Sequence, residues 1–523
     1  MVKIEPLSVC NYIVYLGKWG KVMQQLIMAL DQGTTSSRAL VFDSNCKILS
    51  SSQKELTLHN PRESWVEQEA AEIWLGLLEV ARRALKEIDA DASRIAAIGI
   101  TNQRETTILW NRKTGIPVAR AIGWQCKRSS GICTELRESG HQELVQRRTG
   151  LVLDPYFSAS KIRWLFDRNP KIARMAEEDE ILFGTVDTWL LWNLTGGRVH
   201  ATDYSNASRT MLMNLENGLW DEKILDLFEI PRRILPEIRP SVGLFGETNP
   251  EFFGRQIPIC GIAGDQHASL FGHRAFEKGD VKNTYGTGCF MLMNVGDEPV
   301  YSADGLLSTV AWGIGGKLTY ALEGSVFMAG ALLKWLKDDL QLVESFEEIN
   351  RLSGEVADCG GLYLVSSYQG LGSPWWASHA RGALLGLTRA SKKAQVCRAY
   401  LESIAYRSRD VLEVMSRAAG RQLGKIKVDG GVSNSDVLMR FQADILGMPI
   451  ERSALTEMTA LGVALMTGLG AGIWKDLDEM AKLPIDEGLA PSHTRIFKPS
   501  MEENRRKNLY QGWLKAVDKT IRD

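Results

Sequence analysis

The stretch LIMALDQGTTSSRALVFDS, Leu26–Ser44, reads as strand, Gly-Thr turn, strand. Two short apolar runs bound a polar turn, which is the pattern of a hairpin. Gly33 frees the backbone for positive φ. Successive N–H groups and the hydroxyls of Thr34, Thr35 and Ser36 can then surround an anion. Arg38 adds positive charge, and Asp31, at a strand end, can hold a cation directly or through water. Taken alone, the segment serves equally well as a plain polar hairpin.

A second copy shifts that balance. In VKNTYGTGCFMLMN, Val281–Asn294, Gly286 and Gly288 flank Thr287 between two strand-like runs. One such hairpin per half predicts an internal repeat with its boundary in GHRAFEKG, Gly272–Gly279. The expected lobes are residues 23–272 and 273–523, with the two turns facing across a cleft. VDGG, Val428–Gly431, ends a further strand just before a helix, with Asn434 or Ser435 as the N-cap. Its glycines admit a flat ligand close to the backbone, and a helix N-terminus favours negative charge. The chain has no G-x-x-x-x-G-K-[ST] motif, so it is no P-loop protein. Paired phosphate hairpins and a Gly-Gly turn suggest an actin-like ATPase architecture instead.

Strands and helices alternate along the chain, which argues α/β. In residues 67–89, Ile73, Trp74, Leu77, Leu78, Ala81, Leu85 and Ile88 recur at helical spacing. RIAAIGI, Arg94–Ile100, is a buried strand. Cys397, Leu401, Ile404, Val411 and Met415 mark one stripe of a long helix that stops at Gly420. EMTALGVALMTGLGAG, Glu457–Gly472, is a small-residue helix that reads as close packing rather than function.

At 523 residues and 44% hydrophobic, each half can bury a core. A formal net charge of -1 offers no bulk attraction to nucleic acid or anionic membrane. No apolar run reaches the roughly 18 residues that span a bilayer. The eight cysteines are dispersed without a C-x-x-C pair, which fits reduced thiols in a cytoplasmic protein. The seven histidines show no zinc spacing. Residues 1–22 read as an extension of unassigned role.

Two further stretches carry chemistry. In GITNQRETTILW, Gly99–Trp110, Arg104 and Glu105 sit side by side between strand-like segments. They form either a solvated turn or a grip for a small polar ligand. In GIAGDQHASLFG, Gly261–Gly272, a strand leads into Asp265 and Gln266. A carboxylate so placed can accept a hydroxyl proton during phosphoryl transfer, or can simply cap a helix.

With ALDQGTTSSRA, IGITNQRETT, GLVLDPYFSASKIRWL, FGTVDTWL, TDYSNASRTM, GIAGDQ, NTYGTGCFMLMN, ALEGSVFMAGA and YLESIAYRSRDVLE in that order, the chain from about Ile27 onward resembles the FGGY family of carbohydrate kinases. Within that family it is most similar to the members that phosphorylate glycerol. The resemblance implies two ribonuclease-H-like lobes with ATP and glycerol meeting between them. It implies that Arg104, Glu105, Tyr156 and Gln266 grip the glycerol hydroxyls, that Trp124 and Phe290 cover the carbons, and that Asp265 is the general base. On the nucleotide side it implies Thr34, Thr35, Ser36 and Arg38 in the first hairpin, Thr287 in the second, Gly330 and Lys334 near the phosphates, and Gly431 and Ser435 at the adenosine turn. Mg²⁺ is expected at Asp31, through water, close to Asp265. Family members often form dimers or tetramers, so a homo-oligomer is expected.

The chain departs from the family's usual Gln at His267 and at Lys334, and Ser435 replaces an Asn. These departures bear on nucleotide preference. NPEFFGRQIP carries Arg255 without the glycine run that binds fructose 1,6-bisphosphate in some members, so that regulation is not expected. Another polyol or sugar kinase of the family, and an actin-like ATPase that needs no polyol, are the rival readings.

Overall fold

The computed structural model describes residues 25–484 and 495–522, apart from 90, 303, 327, 369, 378, 421, 422, 424 and 425. The extension 1–22 lies outside the described residues. The first sheet is built from β1 (Leu26–Gln32), β2 (Ser36–Phe42), β3 (Ile48–Glu55), β4 (Ile95–Asn102), β5 (Val242–Glu247) and β6 (Pro258–Gly264). The second contains β7 (Val281–Tyr285), β8 (Cys289–Gly296), β9 (Leu307–Ile314), β10 (Lys317–Val326), β11 (Ile426–Asp429), β12 (Ile450–Arg452) and β13 (Arg495–Phe497). The helices that matter for the site are α1 (Ala70–Glu87), α2 (Ser158–Arg168), α3 (Asp265–Gly272), α4 (Gly330–Asp338), α5 (Lys393–Ala419), α6 (Asp436–Leu446) and α7 (Met458–Gly470).

The six-stranded sheet runs in the order β5-β6-β4-β1-β2-β3, and the seven-stranded sheet in the order β9-β10-β8-β7-β11-β12-β13. In each, an antiparallel meander adjoins two parallel neighbours. β1 pairs with β2 antiparallel and with β4 parallel; β7 pairs with β8 antiparallel and with β11 parallel. The repeat expected from the two Gly-Thr hairpins is thus a repeat of whole sheets, and the lobes are ribonuclease-H-like.

β1 is buried on both sides, as its unbroken apolar run requires. Its side chains alternate between faces with period two. Met28 and Leu30 enter the core under Ile73, Leu77 and Val80 of α1, while Ile27 and Ala29 enter the core that holds Leu461 and Leu465 of α7. The stripe expected on the long helix is buried on α5, which ends with Gly420 at φ 63. Of the two candidate caps for α6, Ser435 is the one used: its hydroxyl accepts from the Leu438 N–H.

α7 comes from the second half of the chain but lies on the first sheet. Its small residues allow an approach closer than side chains permit. A Cβ on Gly462 would stand 1.7 Å from the Ala268 carbonyl oxygen of α3, and one on Gly99 of β4 would stand 2.0 Å from Thr467 Oγ1 of α7. The seat of one lobe on the other therefore rests on backbone contact. Gly462→Val should destabilise the protein by at least about 1–3 kcal/mol, the range for overpacking a dense core. Calorimetry checks it: an unchanged Tm would mean that α7 can lift from α3 at no cost.

Candidate active site

Three strand ends make the floor of the site. Asp31 and Gln32 of β1 pair in register with Thr101 and Asn102 of β4, and Asn102 pairs with Gly264 of β6. Arg104 and Glu105 therefore emerge beside Asp31 on one side and Asp265 on the other. Carboxyl ends of parallel strands are where open α/β sheets bind ligands. Glu105 takes φ 61, a left-handed conformation that costs a non-glycine residue about 1 kcal/mol or more. Its carbonyl oxygen accepts from Ser158 Oγ at 3.0 Å and Thr107 Oγ1 at 3.2 Å, which holds it there. Gly264 is required because a Cβ would stand 2.7 Å from the Arg104 side chain.

The Arg-Glu pair is no solvated turn. Arg104 and Glu105 are 3% and 1% exposed, and each meets a partner that the motifs did not announce. Glu323 of β10, in the other lobe, accepts from both terminal nitrogens of Arg104. Arg209 donates from Nε to Glu105 Oε1 at 2.7 Å and from Nη2 to Glu323 Oε1 at 3.0 Å. Two guanidiniums and two carboxylates thus form one buried cluster. Burial opposes ionisation of Glu323, yet Arg104 and Arg209 outweigh it and lower its pKa. At Glu105 burial wins over the same two arginines, and its pKa is raised. Arg104 Nε lies 3.1 Å from Asp265 Oδ1. A strand charge inside an apolar run, as in TYALEGSV, was the available signal for Glu323.

Above this floor stands an aromatic wall. The Trp124 ring lies 5.5 Å from Tyr156 and 6.2 Å from Phe290, the latter contributed by β8 of the second lobe. Trp124 Nε1 donates to Thr34 Oγ1 at 3.0 Å, so the wall is tied to the first hairpin. Two fully buried lysines, also unforeseen, hold the neighbours in place. Lys161 of α2 donates to the carbonyl oxygens of Pro155, Tyr156 and Phe157 at 2.7, 2.5 and 3.2 Å. Lys282 of β7 donates to Gln266 Oε1 and, at 2.9 Å, to Thr284 Oγ1. That bond directs the Gln266 amide N–H groups away from Lys282. Burial lowers both lysines to about 8, against the pull of nearby carboxylates. His267 is buried with Nε2 3.2 Å from Thr309 Oγ1. Burial, helped by Arg104, Arg209 and Lys282, pushes its pKa far down, so it is neutral.

On the second lobe, Thr284 pairs with Asp429 across β7 and β11, which sets the second hairpin beside the Gly-Gly turn. Gly430 has φ 89, and a Cβ there would meet the Tyr285 carbonyl oxygen at 2.4 Å. A Cβ on Gly330, at the start of α4, would meet the Gly286 carbonyl oxygen at 2.6 Å. Thr287, Gly330 and Gly431 are thereby brought together, and Gly431 faces open space. Lys334 is exposed one turn further along α4. Ser435, expected at the nucleotide, is 0% exposed, and its hydroxyl serves the cap of α6. In the first hairpin Thr35 is exposed, while Ser36 is buried. Arg38 donates to Glu457 Oε2 at 2.9 Å rather than standing free.

Asp31 is raised to about 7, first by burial and then by the negative charges of Glu457 and Asp265, with Arg38 opposing. Crowded carboxylates of this kind fit a divalent cation. Among the described residues no group of three or more His, Cys, Asp or Glu could hold a metal alone. A cation here would take the rest of its shell from water and phosphate oxygens, as Mg²⁺ commonly does.

Two ribonuclease-H-like lobes with facing Gly-Thr hairpins define an actin-like architecture. Within that class the chain belongs to the FGGY family of carbohydrate kinases, whose N-terminal domain matches residues 26–272 and whose C-terminal domain matches residues 281–471. A glycerol kinase of Halorhodospira halophila is 51% identical over 96% of this chain and 97% of its own. Glycerol kinase 2 of Thermotoga maritima is 50% identical over 95% of this chain and 98% of its own. Among solved structures, Plasmodium falciparum glycerol kinase with ADP is 33% identical and superposes with a TM-score of 0.88, covering 95% of this chain and 98% of that one. A Lactobacillus acidophilus gluconate kinase, at 21% identity and a TM-score of 0.83 over 95% of this chain and 97% of its own, shares the fold.

The two lysines generate a pH prediction. Lys161 and Lys282 are each lowered to about 8 from 10.5. Their positioning bonds are made by ammonium groups below about 8 and weaken as the pH rises through it. Their effect on stability has the opposite sign: burying a charge costs most below about 8, and that cost shrinks toward 10.5. Glycerol kcat/KM should therefore fall above about pH 8 with no matching fall in Tm from these groups. A flat profile to pH 10 would show that neither charge matters.

Proposed function

We propose that the protein transfers the γ-phosphoryl group of ATP to a terminal hydroxyl of glycerol, giving sn-glycerol 3-phosphate and ADP. The observation that carries this reading is the buried Arg104–Glu105 pair set directly beside Asp265 under three aromatic rings. Charged donors and acceptors suit hydroxyls of a ligand that carries no charge itself. The full-length similarity to glycerol kinases of about 50% identity supports the same acceptor.

In this reading Arg104, Glu105, Tyr156 and Gln266 orient the hydroxyls, and Trp124 and Phe290 cover the carbon chain. Asp265 accepts the proton of the attacking hydroxyl as the bond to phosphorus forms. The Gln266 backbone N–H donates to Asp265 Oδ1 at 2.7 Å, and the Arg104 Nε pairs with that same oxygen at 3.1 Å. Oδ2 is thus the oxygen open to the substrate. Thr34, Thr35, Ser36 and Arg38 of one lobe and Thr287, Gly330 and Lys334 of the other receive the phosphates, and Gly431 admits the adenosine. Backbone N–H groups of the two turns spread the charge that develops on the transferred group. Asp31 and Asp265 would hold Mg²⁺, mainly through water, and when bound the ion neutralises β- and γ-phosphate charge. Closure of residues 23–272 on 273–523 excludes water from the transfer.

We place the reaction in the cytoplasm, on the strength of seven unpaired, buried cysteines among the described residues. Among those residues no helix is long and apolar enough to cross a membrane. Self-association into dimers or tetramers is the expected state, and sedimentation at micromolar concentration showing monomer alone would remove it.

ADP release from Mg·ATP should rise strongly with glycerol and little with xylulose, ribulose or gluconate. Asp265→Asn should cut kcat by roughly 10²–10⁴ while sparing glycerol binding. Stimulation by a sugar instead would keep the Asp265 chemistry and replace the acceptor. A near-normal kcat in the variant would take Asp265 out of its role.

A further inference from the structure

Glu323 lies on β10 in the second lobe and is 0% exposed. Both of its oxygens are occupied. Oε2 accepts from Arg104 Nη1, and Oε1 accepts from Arg104 Nη2 at 3.2 Å and from Arg209 Nη2 at 3.0 Å. The Arg104 fork is gripped by Glu323, and its Nε lies 3.1 Å from Asp265 and 3.9 Å from Glu105. A guanidinium whose fork is free pairs with a neighbouring carboxylate through two parallel bonds. Asp265 is the carboxylate within reach. Two bonds from Arg104 would engage both of its oxygens and weaken each as the acceptor of a substrate proton.

We propose that Glu323 is a positioning residue. By saturating the Arg104 fork it keeps Arg104 from clamping Asp265, and it fixes the plane in which the guanidinium meets the acceptor. Because Glu323 belongs to one lobe and Arg104, Arg209 and Glu105 to the other, the grip on the acceptor depends on how the lobes are seated. The proposal rests on the acceptor-side roles given above to Arg104 and Asp265. Arg209 extends the link, since it holds Glu105 Oε1 at 2.7 Å with the same guanidinium that meets Glu323.

The competing role is charge balance alone, with Glu323 merely neutralising two buried arginines. That role predicts a lower Tm and a smaller active fraction, with both KM values unmoved. The test uses full-length Glu323→Gln and Glu323→Asp. It measures kcat, KM for glycerol, KM for ATP, and the rise in Tm that glycerol produces. Glu323→Gln should lose about 10²-fold in glycerol kcat/KM, the scale of a small misplacement in an organised site. Its KM for ATP should not move, and glycerol should no longer raise its Tm. If the Gln variant does not fold, Glu323→Asp carries the test: it keeps the charge but draws back one methylene, and glycerol KM should rise about tenfold. Unchanged glycerol KM and an unchanged glycerol-induced Tm rise in the folded variant would overturn the proposal. The wild-type assay separates the two levels. An inert wild type refutes the acceptor reading and this role with it, whereas an active wild type with an indifferent variant refutes Glu323 alone.

Discussion

Four charges buried at the seam between two lobes are the constraint around which the rest is arranged. Taking an ion out of water costs several kcal/mol, and only close pairing repays it. Arg104 and Arg209 meet Glu105 and Glu323, and Arg104 also meets Asp265. Removing any one member would leave an uncompensated charge, a loss of about 3–5 kcal/mol. Several local oddities follow from that demand. Gly264 lacks a side chain because Arg104 occupies the space. Glu105 takes a left-handed backbone, held by Ser158 and Thr107, while its carboxylate meets Arg209.

Such a cluster requires lobes that meet reproducibly. Side-chain packing adjusts by rotamer changes, but backbone against backbone does not. α3 and α7 approach so closely that Gly462 has no room for a methyl group, and the contact acts as a stop rather than a cushion. β1, β4 and β6 deliver Asp31, Arg104 and Asp265 from adjoining strand ends in fixed register. The second hairpin and the Gly-Gly turn are delivered in the same way by β7 and β11. The duplication of sheets thus supplies two similar rims, each with a hairpin proposed to receive phosphate, and the first also carries the proposed grip on the acceptor.

The parts legible in the sequence were those whose partners lie nearby in the chain. A Gly-Thr turn between two apolar runs is complete within twenty residues, and so is Gly264-Asp265 at a strand end. Arg104 and Glu105 were legible as a pair, but not their partners, because Glu323 lies 219 positions from Arg104 and Arg209 lies 104 from Glu105. Distance along the chain hid them, not weak chemistry. A carboxylate inside β10 and a lysine inside β7 interrupt apolar strands, and a buried charge is costly enough to imply a partner. Ser435 carried two readings, a helix cap and a nucleotide contact, and the cap is the one the structure describes. It follows a glycine turn, as a ligand contact does, but its hydroxyl satisfies a helix N–H, and a turn residue cannot be assigned to one use or the other without the fold. Arg38 likewise met a carboxylate, Glu457, from far along the chain.

Selectivity in the proposed reaction would come from this same expense of unpaired polarity. The floor offers Arg104, Glu105 and the Gln266 amide, whose remaining hydrogen-bond capacity a hydroxylated ligand must meet. A ligand that lacks one hydroxyl leaves a buried charged group unmet. Sites built to hydrogen-bond a hydroxyl reject the analogue lacking it by 10⁴–10⁵. Extra length is resisted by a different force. Trp124, Tyr156 and Phe290 come from three separate segments and both lobes, and Trp124 is pinned to Thr34. A longer polyol would have to displace a ring and break its tie to the phosphate hairpin at once. The wall proposed to measure the acceptor is thereby tied to the hairpin proposed to receive the donor.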